Sequence, residues 1–218
     1  MRILALSDMH GHLPPILDND YDLLIMGGDI CPDFARAGVG SREACLMQGN
    51  WLNTTFRAWL DACPVINRVL IWGNHDFVSQ RYPQYLPEDL PCTVLHDSGC
   101  QLGDFKIWGT PWQPPFFDWA YNLPENELAQ KFKLIPEDTD LLVSHGPPRG
   151  YGDRTVHGEP VGSTSLSARI QELAQKKLRT LICGHIHEAR GMYQVVSNNC
   201  TLNICNVALA PPNHAAKI

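Results

Sequence analysis

The chain has 218 residues, 44% of them hydrophobic and 18% charged, which supplies a large core and excludes a disordered chain. Its formal charge of -6 and pI near 5.8 exclude a broad polyphosphate-binding face, so no extended nucleic-acid surface is expected, although a small anion can bind through a local field. No Gly/Ser- or Pro-rich linker divides the chain, no apolar run reaches about 18 residues, and the opening apolar run is too short for a signal-peptide core; the reading is one domain over 1–218, no membrane span and a cytoplasmic location.

Residues 2–6 form an apolar run that ends in Ser7-Asp8-Met9-His10-Gly11-His12. Asp8 and His10 are two apart, and at an extended strand end such residues point the same way, which lets an oxygen and a nitrogen ligand converge on one cation. Residues 22–26 are the next strand, followed by Gly27-Gly28-Asp29, where the glycines permit close approach and positive φ and let Asp29 project from the strand end. Ser41 caps a helix with Glu43 in its first turn. Trp51, Leu52, Thr55, Phe56, Trp59 and Leu60 recur at helical spacing, a face that packs on the sheet.

Residues 69–72 give a buried strand closed by Gly73, and its exit presents Asn74, His75 and Asp76 together. In an open α/β sheet ligands bind beyond the carboxyl ends of the strands, so this exit marks a site. Short strands over 93–96 and 105–109 follow. Residues 110–122 are a proline-broken loop carrying Trp112, Phe116, Phe117, Trp119 and Tyr121, whose rings either stack on a nucleobase or form a hydrophobic lid. Pro124 opens a helix with acidic residues at its start and Lys131 and Lys133 at its end.

Residues 140–144 deliver His145. Leu166, Ile170, Leu173 and Ala174 mark a helix face, and residues 179–183 deliver Gly184-His185-Ile186-His187. Residues 192–197 and 201–205 form a hairpin through Asn198-Asn199. The eight cysteines contain no Cys-x-x-Cys pair and read as small core thiols, not staples or metal ligands. His12 reads as a loop residue and His96 as a surface or core histidine, Arg149 and Arg154 as phosphate contacts or solvated side chains, and His157 stands alone.

Five strands thus hand over to His, Asp or Asn clusters between helical segments, the pattern of a layered α/β fold with one site at a sheet edge. Asp8, His10, Asp29, Asn74, His145, His185 and His187 are seven candidate ligands, too many for one tetrahedral ion and about right for two divalent ions sharing a bridging carboxylate. Two such ions bring about +4 against two aspartates, and the net positive pocket attracts a phosphate ester. Nitrogen and oxygen donors without thiolate fit Mn²⁺, Fe or Zn²⁺, with Mn²⁺ favoured.

Asp-x-His, Gly-Asp, Gly-Asn-His-Asp, His-Gly and Gly-His-x-His, in that order, resemble the signature of the calcineurin-like metallophosphoesterases from residue 2 to about 206. Gly-Thr-Pro-Trp, Trp-Ala-Tyr-Asn-Leu, Ser-His-Gly-Pro-Pro and Gly-His-Ile-His-Glu further resemble their metallophosphoesterase-domain subgroup. The resemblance implies a four-layer αββα sandwich of two mixed β-sheets flanked by helices. It implies a first metal on Asp8, His10 and His187, a second on Asn74, His145 and His185, Asp29 bridging, and His75 protonating the leaving oxygen with Asp76 orienting it. The leading expectation is hydrolysis of small phosphodiesters, cyclic nucleotides among them, by in-line attack of a hydroxide formed at the metals. Trp112, Phe116, Trp119 and Arg149 are the candidate substrate contacts. A phosphomonoesterase and a nucleotide-binding protein of low turnover are the alternatives.

Overall fold

Alternate residues of the apolar runs serve different cores. The computed structural model describes residues 1–16, 18, 20–197 and 200–209. β1 (Ile3–Leu6), β2 (Leu23–Gly27), β3 (Asn67–Ile71) and β4 (Thr93–Val94) form one sheet in that order, each neighbour parallel. The second sheet has the order β5 (Ser98–Leu102), β6 (Phe105–Thr110), β7 (Leu141–Ser144), β8 (Thr180–Cys183), β10 (Cys200–Asn206), β9 (Gly191–Ser197). Mixed pairing is confined to this sheet: β5–β6 and β10–β9 are antiparallel, the rest parallel.

Neighbouring side chains on a strand point to opposite faces. Leu23, Ile25, Val69, Ile71, Leu141, Val143 and Ile182 pack between the two sheets. Leu24, Met26 and Leu70 face the other way, onto Leu52, Phe56 and Leu60, while Leu142, Leu181 and Cys183 meet Leu128, Phe132, Leu166 and Ile170. Helix, sheet, sheet and helix therefore stack as the four-layer αββα sandwich.

α1 (Arg42–Trp51) begins where the cap predicts, with Ala44 N donating to Ser41 Oγ at 3.1 Å. It runs through a π-helical stretch, Leu52–Phe56, into α2 (Arg57–Ala62). That wider turn keeps Leu52, Phe56 and Leu60 buried and rotates Thr55, expected on the same face, into solvent. α3 (Phe77–Arg81) is too short to leave a period in the sequence. α4 (Glu125–Lys133) has Pro124 as its N-cap and the expected charges at its ends, and α5 (Thr164–Ala174) buries the four residues its spacing marks. β5 has no apolar run and was not foreseen; the Asn198-Asn199 turn lies outside the described residues. All eight cysteines are free. No helix among the described residues is long and apolar enough to cross a membrane.

β1, β2, β3, β7 and β8 open at one edge, where their exits are bonded to each other. Asp8 N donates to Gly28 O at 2.9 Å, Gly184 N to His145 O at 3.0 Å, and Leu209 N to Ser7 O at 2.9 Å. The last contact, with a Ser7–Ala208 bridge, joins the exit of β10 to that of β1.

Candidate metal centre

The strand exits turn sharply. Asp8, His10, Asp29 and His185 have φ of 57°, 45°, 52° and 68°, the left-handed region that residues with a Cβ rarely enter. Asp8 and His10 therefore converge through a left-handed turn, and not along an extended strand end as alternation alone predicts. Packing is tight enough to demand glycine: a Cβ on Gly28 (φ 97°) would lie 2.6 Å from His145 Nδ1, and one on Gly184 would lie 2.1 Å from Asp8 Oδ2.

The seven predicted side chains gather in two groups around Asp29. In the first, His187 Nε2 is 3.2 Å from Asp8 Oδ1 and 3.4 Å from His10 Nε2, and His10 Nε2 is 3.8 Å from Asp29 Oδ2. In the second, His145 Nε2 is 3.5 Å from Asp29 Oδ1 and 2.8 Å from Asn74 Oδ1, with the His185 ring 5.2 Å from that of His145. Each oxygen of Asp29 faces a different group.

The donor chemistry fits a cation. His145 Nδ1 donates to Gly27 O at 2.9 Å, so in the neutral ring Nε2 offers a lone pair, and that lone pair faces the oxygens of Asn74 and Asp29. Three acceptors aimed together require a proton or a cation between them. A proton is one solution: burial opposes it, but Asp29 and Asp8 lift His145 to about 9. A divalent ion serves all three acceptors at once. Asn74 Nδ2 is buried with no hydrogen-bond partner among the described residues, so the carboxamide is oriented by its oxygen. Burial and then His145 push His185 down to about 3, which leaves its imidazole neutral and able to ligate. Burial also raises Asp8 and Asp29, yet His187 and His145 outweigh it and hold both below the usual carboxylate range.

His75 adjoins these groups, its ring 4.7 Å from that of His10 and 4.4 Å from that of Trp119, and with His10 and Asp29 it forms a third cluster able to meet an ion. Asp76, expected to orient it, does something else. Its carboxylate accepts the backbone N–H groups of Ile30, Cys31 and Gly73 at 2.9, 2.8 and 2.8 Å, pinning the β2 exit to the β3 exit. The His75 ring is instead held by Asp33, whose Oδ1 lies 2.8 Å from Nδ1. Asp33 sits in a Pro/Gly-punctuated loop and carries no motif; its place four residues after Asp29 was the available signal. Burial lowers His75, but Asp29 and Asp33 overturn this and raise it to about 9. Burial first, then the Asp29 charge, lifts Asp76 to about 6.

A cavity of about 630 Å³ opens over the centre, with His10, Asp29, Asn74, His75, His185 and His187 in its lining. Phe116 and Trp119 line it as predicted. Trp112 does not: its Nε1 donates to Asp97 at 2.8 Å and Lys131 Nζ lies 4.5 Å over its ring, so it anchors the loop. Arg149 is also outside the lining, exposed, with its backbone N bonded to Ser163 O. Arg154 donates to Gly158 O at 2.7 Å, and His12 and His96 are exposed. His157 does line the cavity, a placement its isolation in the sequence conceals.

Carboxylates, imidazoles and a carboxamide meeting at the strand exits of an αββα sandwich make the site of a metal-dependent phosphoesterase. The model of the calcineurin-like phosphoesterases matches residues 1–189, and the chain belongs to that family. It is 30% identical to metallophosphoesterase domain-containing protein 1 of Homo sapiens and of Mus musculus over 239 aligned residues, covering 97% of this chain and 68% of each relative. One solved structure, 18% identical, superposes with a TM-score of 0.63 over 94% of this chain and 89% of its own, a likeness of fold.

Proposed function

We propose that the chain hydrolyses small phosphodiesters with two divalent ions, one on Asp8, His10 and His187, the other on Asn74, His145 and His185, with Asp29 between them. The observation that carries this reading is Asp29 itself, whose Oδ2 faces His10 while Oδ1 faces His145. When bound, such ions supply a nucleophile from water near neutral pH and offset charge on the phosphoryl oxygens. The protein's own part is positional. Asp33 holds His75 by Nδ1, leaving Nε2 to donate a proton to the departing oxygen. Asp76 fixes the Gly73 and Ile30 backbone so that Asn74 and Asp29 keep their spacing. Phe116 and Trp119 give the organic part an apolar wall, and about 630 Å³ leaves room for a substituent on the phosphate in addition to the leaving group.

A panel of phosphomono- and phosphodiesters with Mn²⁺, including 2′,3′- and 3′,5′-cyclic nucleotides, tests this alongside metal analysis. The expected result is two ions per chain and faster turnover of diesters. Faster monoesters would make it a phosphomonoesterase, and tight nucleotide binding without turnover would make it a binding protein.

A further inference from the structure

The second wall of the cavity is a segment that the ester chemistry does not use. Residues 153–161 fold back on themselves, with Thr155 N donating to Glu159 O at 3.0 Å, Gly158 N to Thr155 O at 2.8 Å and Val161 N to Asp153 O at 3.0 Å. The turn is fastened to the floor of the site, because Glu188, the neighbour of His187, accepts from Val156 N at 2.8 Å. The Thr155 hydroxyl in this wall is buried and has no hydrogen-bond partner among the described residues.

The charges of the lining are one-sided. Among the described residues that line the cavity there is no lysine or arginine, while Glu159 and Glu188 join it from their exposed positions. The nearest arginine in sequence, Arg154, spends its guanidinium on Gly158 O. Positive charge in the cavity therefore comes from His75 and from ions at its floor, while Glu159 and Glu188 share the lining with the rings of Phe116 and Trp119. Rings flanked by carboxylates attract ammonium and quaternary ammonium groups. A second anion at the 153–161 wall would lose hydration with no lysine or arginine to replace it.

We propose that this cavity sorts phosphoesters by the charge of their organic arm, favouring a cationic head and turning away a second anion, with Glu159 and Glu188 as the selecting residues. The inference rests on the phosphoesterase reading and adds the substrate's charge to it.

The test uses the Mn²⁺-loaded full chain and three nitrophenyl phosphodiesters that differ only in the second arm: choline, its neutral isostere 3,3-dimethylbutyl, and carboxyethyl. The kcat/KM should fall in that order, by about five- to thirtyfold from choline to the isostere, the range of a ring-and-carboxylate contact with a cation. Glu159→Gln should narrow the gap, and Glu159→Lys should favour the carboxyethyl ester. In parallel, calorimetry with phosphocholine and with 3,3-dimethylbutyl phosphate reads the same preference without turnover. Hydrolysis of all three esters at similar rates, with equal affinities and no response to Glu159→Lys, would overturn the charge rule and leave the phosphoesterase reading standing. No turnover of any ester, with the affinity order intact, would remove the phosphoesterase reading and support the charge rule.

Discussion

Asp29 and His75 stand side by side but do separable work. Asp29→Asn removes the one charge that both groups share, so bound metal should drop from two ions to one or none per chain, read by elemental analysis after desalting. His75→Ala should keep both ions and lose about 10²- to 10⁴-fold in kcat on esters with poor leaving groups such as a ribose hydroxyl, and far less on nitrophenyl esters. Asp33→Asn should shift the same ratio in the same direction by a smaller factor, because the ring remains but loses the carboxylate charge that favours its protonated form. A metal lost from His75→Ala would instead make His75 a ligand, which its place near His10 and Asp29 permits. At this scale the sequence was legible in kind and not in direction. Asp8 and His10 could be named from their spacing, yet the φ of 57° and 45° that brings them together leaves no mark in residue identity. The family resemblance implied Asp76 as the partner of His75, but Asp76 N bonds back to Gly73 O and the turn carries its carboxylate to the backbone of Ile30 and Cys31.

Elements with a strong period of their own could be read, and those made by their partners could not. β2, β3 and β8 carry no polar side chain at their buried positions and β7 only Ser144 at its end, whereas Ser98–Leu102 is half-exposed and becomes β5 only by pairing with β6. The 51–60 period gave the helix but not its π-helical turn, which is why Thr55 was misplaced. Composition made the loop of residues 110–122 a unit, and the fold divides it. Trp112 is bonded to Asp97 and Tyr121 OH lies 2.7 Å from Ser79 Oγ, while Phe116 and Trp119 reach the cavity. Trp119→Ala should therefore raise KM for nucleotide or aromatic esters by about five- to a hundredfold, the worth of a stacked ring, and spare methyl esters. Trp112→Ala should lower the melting temperature and leave the KM ratio of the two ester types unchanged; a changed ratio would put Trp112 at the substrate.

Across the whole molecule, Asp8, His10, Asp29 and Asn74 follow strands of one sheet, and His145, His185 and His187 follow strands of the other. Ions held between them would clamp the two sheets across their shared core. Mn²⁺ at about 100 times its dissociation constant should add about 2.7 kcal/mol per ion, roughly 10 to 20 °C in melting temperature for two, with most of it absent in Asp29→Asn. A calorimetric shift of about a degree would show that the ions do not couple to sheet docking. The closing contacts also set an order in time. Asp8 and His187 are 179 residues apart, and Ser7 pairs with Ala208, so a nascent chain has made its first ligands long before their partners leave the ribosome. Loops this long close late, after most of the sheets have formed. Bound Mn²⁺ should then slow unfolding while leaving the refolding rate nearly unchanged, as stopped-flow measurements with and without the ion would show. Such a latch could engage only once residues 185–208 have been made, so a product stalled before them would carry the early ligands without the partners that complete either group.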